Sequence, residues 1–189
     1  SYLLAMELIE RRQYVDKVLN YMGKGVIIVL TGQRRVGKSC IMKSVSDRIK
    51  SDDANSNIIY INKEYGDFRN ICDELQFSSY VEQHLQPSQH NVLLVDEIQD
   101  IDHFENTLRS LQAKNQCDII ITGSNAKMLS GELATYLSGR YIEIHIQGLS
   151  YKEFLVFHNL PDTDTTFRLY ITYGGLPQLC LLYTSPTHE

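Results

Sequence analysis

The sequence predicts an α/β fold in three layers, with a parallel sheet between two sheets of helices. Three observations carry this. Short apolar runs recur along the chain: "VIIVLTG" at 26–32, "NIIYIN" at 57–62, "NVLLVDE" at 91–97, "DIIITGS" at 118–124 and "YIEIHI" at 141–146. The first four are nearly continuous in apolar residues, as strands covered on both faces must be. Polar stretches of helix length separate them, and strands alternating with helices give a parallel sheet.

The elements follow in order. Residues 3–22 carry Leu4, Leu8, Val15, Val18 and Leu19 near helical spacing, with charges between them, and "GKG" at 23–25 ends that helix. The strands and their connecting helices fill 26–147, expected as one nucleotide-binding domain over 1–147. At residue 148 the pattern turns helical. Ser150 with Glu153 three residues on makes a capping box, which starts a helix. A second helix is expected over 164–173, stopped by "GG" at 174–175, and another near Pro177. Residues 148–189 are therefore expected to form a short helical lid, with the natural chain continuing past it.

Composition limits the partners. The chain has 189 residues, 43% of them hydrophobic, enough for a real core. Its formal net charge of −5 argues against binding nucleic acid through global charge. No apolar run is long enough to cross a bilayer. The opening "SYLLAMELIERRQY" turns charged at once, unlike a secretory leader. Cys40, Cys72, Cys117 and Cys180 are scattered, which fits neither a zinc site nor a disulfide framework and points to a reducing cytoplasm.

The chemistry concentrates after the first apolar run. "TGQRRVGKSC" holds Gly32, four residues, then Gly37, Lys38 and Ser39, between a strand and a helix. Glycines let backbone N–H groups turn inward around phosphate oxygens, and a helix start adds free N–H groups and the positive dipole end. Gly32, Gln33, Arg34, Arg35, Val36, Gly37, Lys38, Ser39 and Cys40 are the expected phosphate-binding set. Within it Lys38 reaches the β- and γ-phosphates and the Ser39 hydroxyl binds Mg²⁺.

"NVLLVDE" ends a strand on two acids. Asp96 is the expected second Mg²⁺ holder and Glu97 the expected general base for an attacking water. Asp100 and Asp102, further on, read as acids at a helix start. "DIIITGSNAKML" brings Ser124 and Asn125, with Thr122 behind them, to the sheet edge where open α/β sheets bind ligands. Ser124 or Asn125 either holds the water and touches the γ-phosphate or caps a helix. Arg140, before the last strand, either senses the γ-phosphate, in its own chain or in a neighbour's site, or is a surface arginine.

With these residues placed, the chain resembles the prokaryotic AAA-type ATPases of the archaeal-ATPase group, P-loop proteins followed by an uncharacterised C-terminal domain. "RRQY", "TGQRRVGKS", "LLVDEIQ", "ITGSNAKML", "LSGRYIEI", "LSYKEF" and "YGGLPQ" run in that family's order over nearly the whole chain. The resemblance implies a P-loop NTPase fold with strand order 5-1-4-3-2, and ATP or ADP with Mg²⁺ as ligands. It makes "RRVGK" the family's usual loop, and sets Pro177 and "RRQY" at 11–14 near adenine. For Pro177 a plain helix break is the alternative. A protein or DNA client would act through a C-terminal domain these residues do not include. The residues themselves favour ATP over GTP, because "NKEY" at 62–65 lacks the Asp of the guanine-reading N-K-x-D. The expected activity is Mg²⁺-dependent ATP hydrolysis. The alternatives are a slow ATP/ADP-dependent switch or a DNA-linked ATPase. Oligomeric state is not fixed by the sequence.

Overall fold

The computed structural model describes residues 11–123, 135, 137 and 139–176. The first helix, α1, spans Arg12–Tyr21 and buries Tyr14, Val15 and Val18 on one side. Leu4 and Leu8, expected on the same helix, lie outside the described residues. Then come β1 (Ile27–Thr31), α2 (Lys38–Asp52), β2 (Asn57–Asn62), α3 (Glu74–His84), β3 (Asn91–Asp96), α4 (Phe104–Lys114), β4 (Asp118–Thr122) and β5 (Tyr141–His145). Two helices close the described chain, α5 (Tyr151–His158) and α6 (Asp164–Tyr173).

The five strands form one parallel sheet in the order β2-β3-β4-β1-β5. This is the expected 5-1-4-3-2 read from the other edge. The central strands β1, β3 and β4 are buried almost throughout, whereas the edge strands β2 and β5 are partly exposed. Burial on both faces explains why the central strands read as unbroken apolar runs.

Alternate residues of each strand point to opposite faces, and two cores result. Ile27, Val29, Leu93, Val95, Ile119 and Ile121 pack with Phe77 and Val81 of α3 and Phe104, Leu108 and Leu111 of α4. Ile28, Leu30, Val92, Leu94 and Ile120 pack with Tyr14, Val15 and Val18 of α1 and Ile41, Met42, Val45 and Ile49 of α2. These are the three layers.

The segment from residue 148 has its own small core of Leu149, Phe154 and Phe157, against which Cys40 of α2 is partly buried. The capping box is present: Ser150 Oγ accepts from Glu153 N, and Glu153 Oε2 accepts from Ser150 N at 2.7 Å. Gly174 ends α6 as expected, and Gly175 does more. Its carbonyl accepts from Leu149 N at 2.6 Å, and a Cβ on Gly175 would lie 2.1 Å from Leu149 O. "GG" therefore seats the end of α6 on the backbone at 149. Among the described residues, no helix is long and apolar enough to cross a membrane.

Candidate nucleotide site

Every strand of a parallel sheet ends on the same edge, so β1, β2, β3 and β4 deliver their following residues together. The phosphate loop leaves β1 at Gly32 and enters α2 at Lys38, with Gly37 as the N-cap. A Cβ on Gly32 would sit 2.3 Å from the Ile146 carbonyl oxygen, so the loop closes against the chain leaving β5 only with glycine there.

A cavity of about 310 Å³ lies over this edge, lined by Arg34, Arg35, Gly37, Lys38, Ser39, Cys40, Glu64 and Glu97. Six of the nine expected loop residues therefore face one space. Of the rest, Gly32 and Val36 are buried, and Gln33 offers its carbonyl to Lys38. Lys38 Nζ donates to Gly32 O and Gln33 O, both at 3.0 Å. Burial lowers the Lys38 pKa, and the charges of Glu97, Asp96 and Glu64 oppose that shift. The ammonium is thus held by its own loop, with the charges of these three acids favouring its protonated form.

Asp96 is fully buried at the end of β3 and does not line the cavity. Its carboxylate accepts from Thr122 Oγ1 and, at 3.3 Å, from Asn62 Nδ2. Glu97 does line it. Its backbone turns into the left-handed region, with φ 56°, and its N–H donates to Thr122 Oγ1 at 3.1 Å. One hydroxyl at the end of β4 therefore holds both acids. The Glu97 carboxylate accepts from Gln99 Nε2 at 2.5 Å.

Other expectations fare differently. Ser124, Asn125 and Pro177 lie outside the described residues. Arg140 stands before β5, and its carbonyl accepts from Ile27 N at 3.0 Å and Gln112 Nε2 at 2.8 Å. That is where β1 begins, whereas the phosphate loop follows its end, about 15 Å along the strand. The Arg140 backbone therefore lies at the opposite edge of the sheet from the loop. Arg140 lines a separate cavity of about 580 Å³ with Arg109, Asn106 and Gln112. Asp100 falls in a single 3-10 turn, Ile98–Asp100, while Asp102 bridges to residues 72–73 rather than starting α4, whose N-cap is His103.

Two residues were missed by sequence reasoning. Glu64 reaches the cavity because it follows β2, the neighbour of β3; the segment read only as a failed guanine motif. Asn62 fixes it there: Oδ1 accepts from Glu64 N at 2.8 Å while Nδ2 holds Asp96. Arg11, expected near adenine with the rest of "RRQY", is buried and donates to Val36 O of the loop.

Comparison with known proteins agrees with this geometry. The family model described as "AAA domain" matches residues 24–155. An uncharacterized protein of Haemophilus influenzae is 35% identical over 184 residues, covering 94% of this chain and 46% of its own length. An uncharacterized protein of Methanocaldococcus jannaschii is 32% identical over 168 residues, covering 82% and 36% respectively. The chain thus spans less than half the length of either relative. Among solved structures, Hsp104 of S. cerevisiae bound to casein has a TM-score of 0.64 at 18% identity, covering 92% of this chain and 36% of Hsp104. AMPPCP-bound DnaA from Aquifex aeolicus has 0.62 at 14%, covering 93% of this chain and 60% of DnaA. These two share its fold. The chain belongs to the AAA domain family.

Proposed function

We propose that the chain binds ATP with Mg²⁺ at the 310 Å³ cavity and hydrolyses it to ADP and phosphate. The observation that carries this is the joint lining of one space by Lys38, Ser39 and Glu97. A phosphate-binding cation, a hydroxyl at a helix start and a carboxylate are the parts phosphoryl transfer to water needs.

Lys38 exchanges its two loop carbonyls for β- and γ-phosphate oxygens. The backbone N–H groups of 33–39 hold the phosphates at the start of α2. Ser39 and Asp96 are hard oxygen donors that would hold Mg²⁺. When bound, the metal supplies charge neutralisation across the phosphates. Glu97 takes the proton of the attacking water. That water's oxygen bonds to the γ-phosphorus as the bond to the bridging oxygen breaks, and ADP leaves with the electron pair. Ser124 or Asn125 contacts the γ-phosphate from the end of β4, and Pro177 packs on adenine. Arg140 serves a neighbouring copy's nucleotide, a reading supported by its position before β5, away from the loop of its own chain.

The test is nucleotide titration of Lys38→Ala against the parent, with Mg²⁺. The parent is expected to bind ATP and ADP, and the variant to lose binding by at least about tenfold. Equal affinity in a folded variant contradicts the site.

A further inference from the structure

Arg11 has a set of partners that no phosphate-loop motif predicts. Its guanidinium offers five N–H donors in a rigid fork, and five contacts are present. Nε donates to Glu153 Oε1 at 2.9 Å. One terminal nitrogen donates to Val36 O at 3.1 Å and Gln147 O at 2.9 Å. The other donates to Gly148 O at 3.1 Å and Glu153 Oε2 at 3.4 Å. The Arg11 side chain is 3% exposed and that of Glu153 16%. The guanidinium also lies 4.6 Å from the Tyr14 ring centroid, and Tyr14 Oη accepts from Gln147 N.

These partners come from three parts of the molecule. Val36 is the loop residue before Gly37. Gln147 and Gly148 lead out of the sheet. Glu153 is in the first turn of α5 and at the same time closes its capping box. A trans peptide sets its C=O and N–H in opposite directions. With the Val36 carbonyl held by Arg11, the Gly37 N–H is directed away from Arg11, and Gly37 lines the cavity. The Val36 side chain is itself buried in the α1/α2 core, so this peptide has little freedom to rotate.

We propose that Arg11 is a positioning residue of the nucleotide site: it sets the Val36–Gly37 peptide for phosphate and, through Glu153, locks the loop to α5. Nucleotide that tightens the loop therefore also tightens α5. This rests on the nucleotide-binding reading given above. It assigns Arg11 to the loop and the helical segment rather than to adenine.

Truncating either partner of a buried ion pair strands the other charge, so the test uses Arg11→Lys and Glu153→Gln in the full chain. Lysine keeps the charge but not the planar fork. Glutamine keeps an acceptor for the cap but not the charge. Each variant is checked for folding by circular dichroism. ADP with Mg²⁺ is then titrated, and hydrogen exchange of residues 33–39 and 151–158 is followed with and without ADP. In the parent, ADP is expected to slow exchange in both segments. In each variant ADP affinity falls about tenfold, the worth of one hydrogen bond to a charged group. The ADP effect on 151–158 is also lost, while that on 33–39 persists at saturating ADP. A merely structural pair would lower thermal stability and leave ADP affinity and transmitted protection unchanged. That result overturns the proposal, as does a parent that binds ADP without protecting 151–158. A parent that binds no ADP strikes the nucleotide-binding reading itself. Should Arg11→Lys not fold, Glu153→Gln decides alone.

Discussion

Thr122 shows how much a single hydroxyl at a strand end can hold. It donates to the buried Asp96 carboxylate and accepts from the Glu97 N–H. Thr122→Val preserves shape but leaves a buried carboxylate oxygen short of a donor. We expect a loss of about 1–3 kcal/mol in denaturant unfolding and lower ATP turnover. Unchanged stability and turnover would show that water replaces the hydroxyl freely. Gly32 is held by backbone instead. Gly32→Ala puts a methyl group into the Ile146 carbonyl and is expected to cost at least about 2 kcal/mol. The loop residues were legible in sequence because phosphate cradling demands a fixed spacing. The Thr122, Asn62 and Glu64 roles were not, since each depends on which strands lie side by side, and spacing along the chain does not state that.

Elements were legible wherever one physical cause dominated. The central strands β1, β3 and β4 appeared because burial on both faces forbids polar residues. Helix α5 appeared because Ser150 and Glu153 satisfy its first N–H groups, and Ser150→Ala is expected to cost about 1 kcal/mol. Two things stayed hidden at this scale. Glu153 is shared between a cap and Arg11, and "GG" at 174–175 serves a backbone contact as well as a helix end. Helix α5 also carries a pH-dependent element. His158 packs against Phe154 and Phe157, its Nε2 is buried without a partner, and burial lowers its pKa. The unfolded chain takes up this proton near the ordinary value of about 6.5, the folded chain only at lower pH. The contribution is complete above the unfolded value and declines as pH falls through it. Thermal melts at about pH 7.5 and 5.5 should show a smaller pH dependence for His158→Gln than for the parent; equal dependence would remove His158 from the explanation.

At the scale of the whole molecule, the parallel sheet sorts function by edge. The ends of β1, β2 and β3 gather the phosphate loop, Glu64 and Glu97, while the beginnings of β1 and β5 hold Arg140 beside Arg109. In the proposed reading Arg140 acts on nucleotide across an interface between copies. Arg140→Ala should therefore leave ATP affinity within about twofold and lower turnover, most where subunits associate. An equal fall in affinity would point to folding or ground-state binding. In the proposed hydrolysis Glu97 activates water over nucleotide held by Lys38 and Ser39. Steady-state ATP turnover and ATP binding of Glu97→Gln, measured beside the parent with Mg²⁺, test it most directly. ATP turnover is expected in the parent and, in the variant, retained binding with turnover reduced at least about a hundredfold. Turnover that survives in Glu97→Gln, or a parent that binds nucleotide without turning it over, would contradict it.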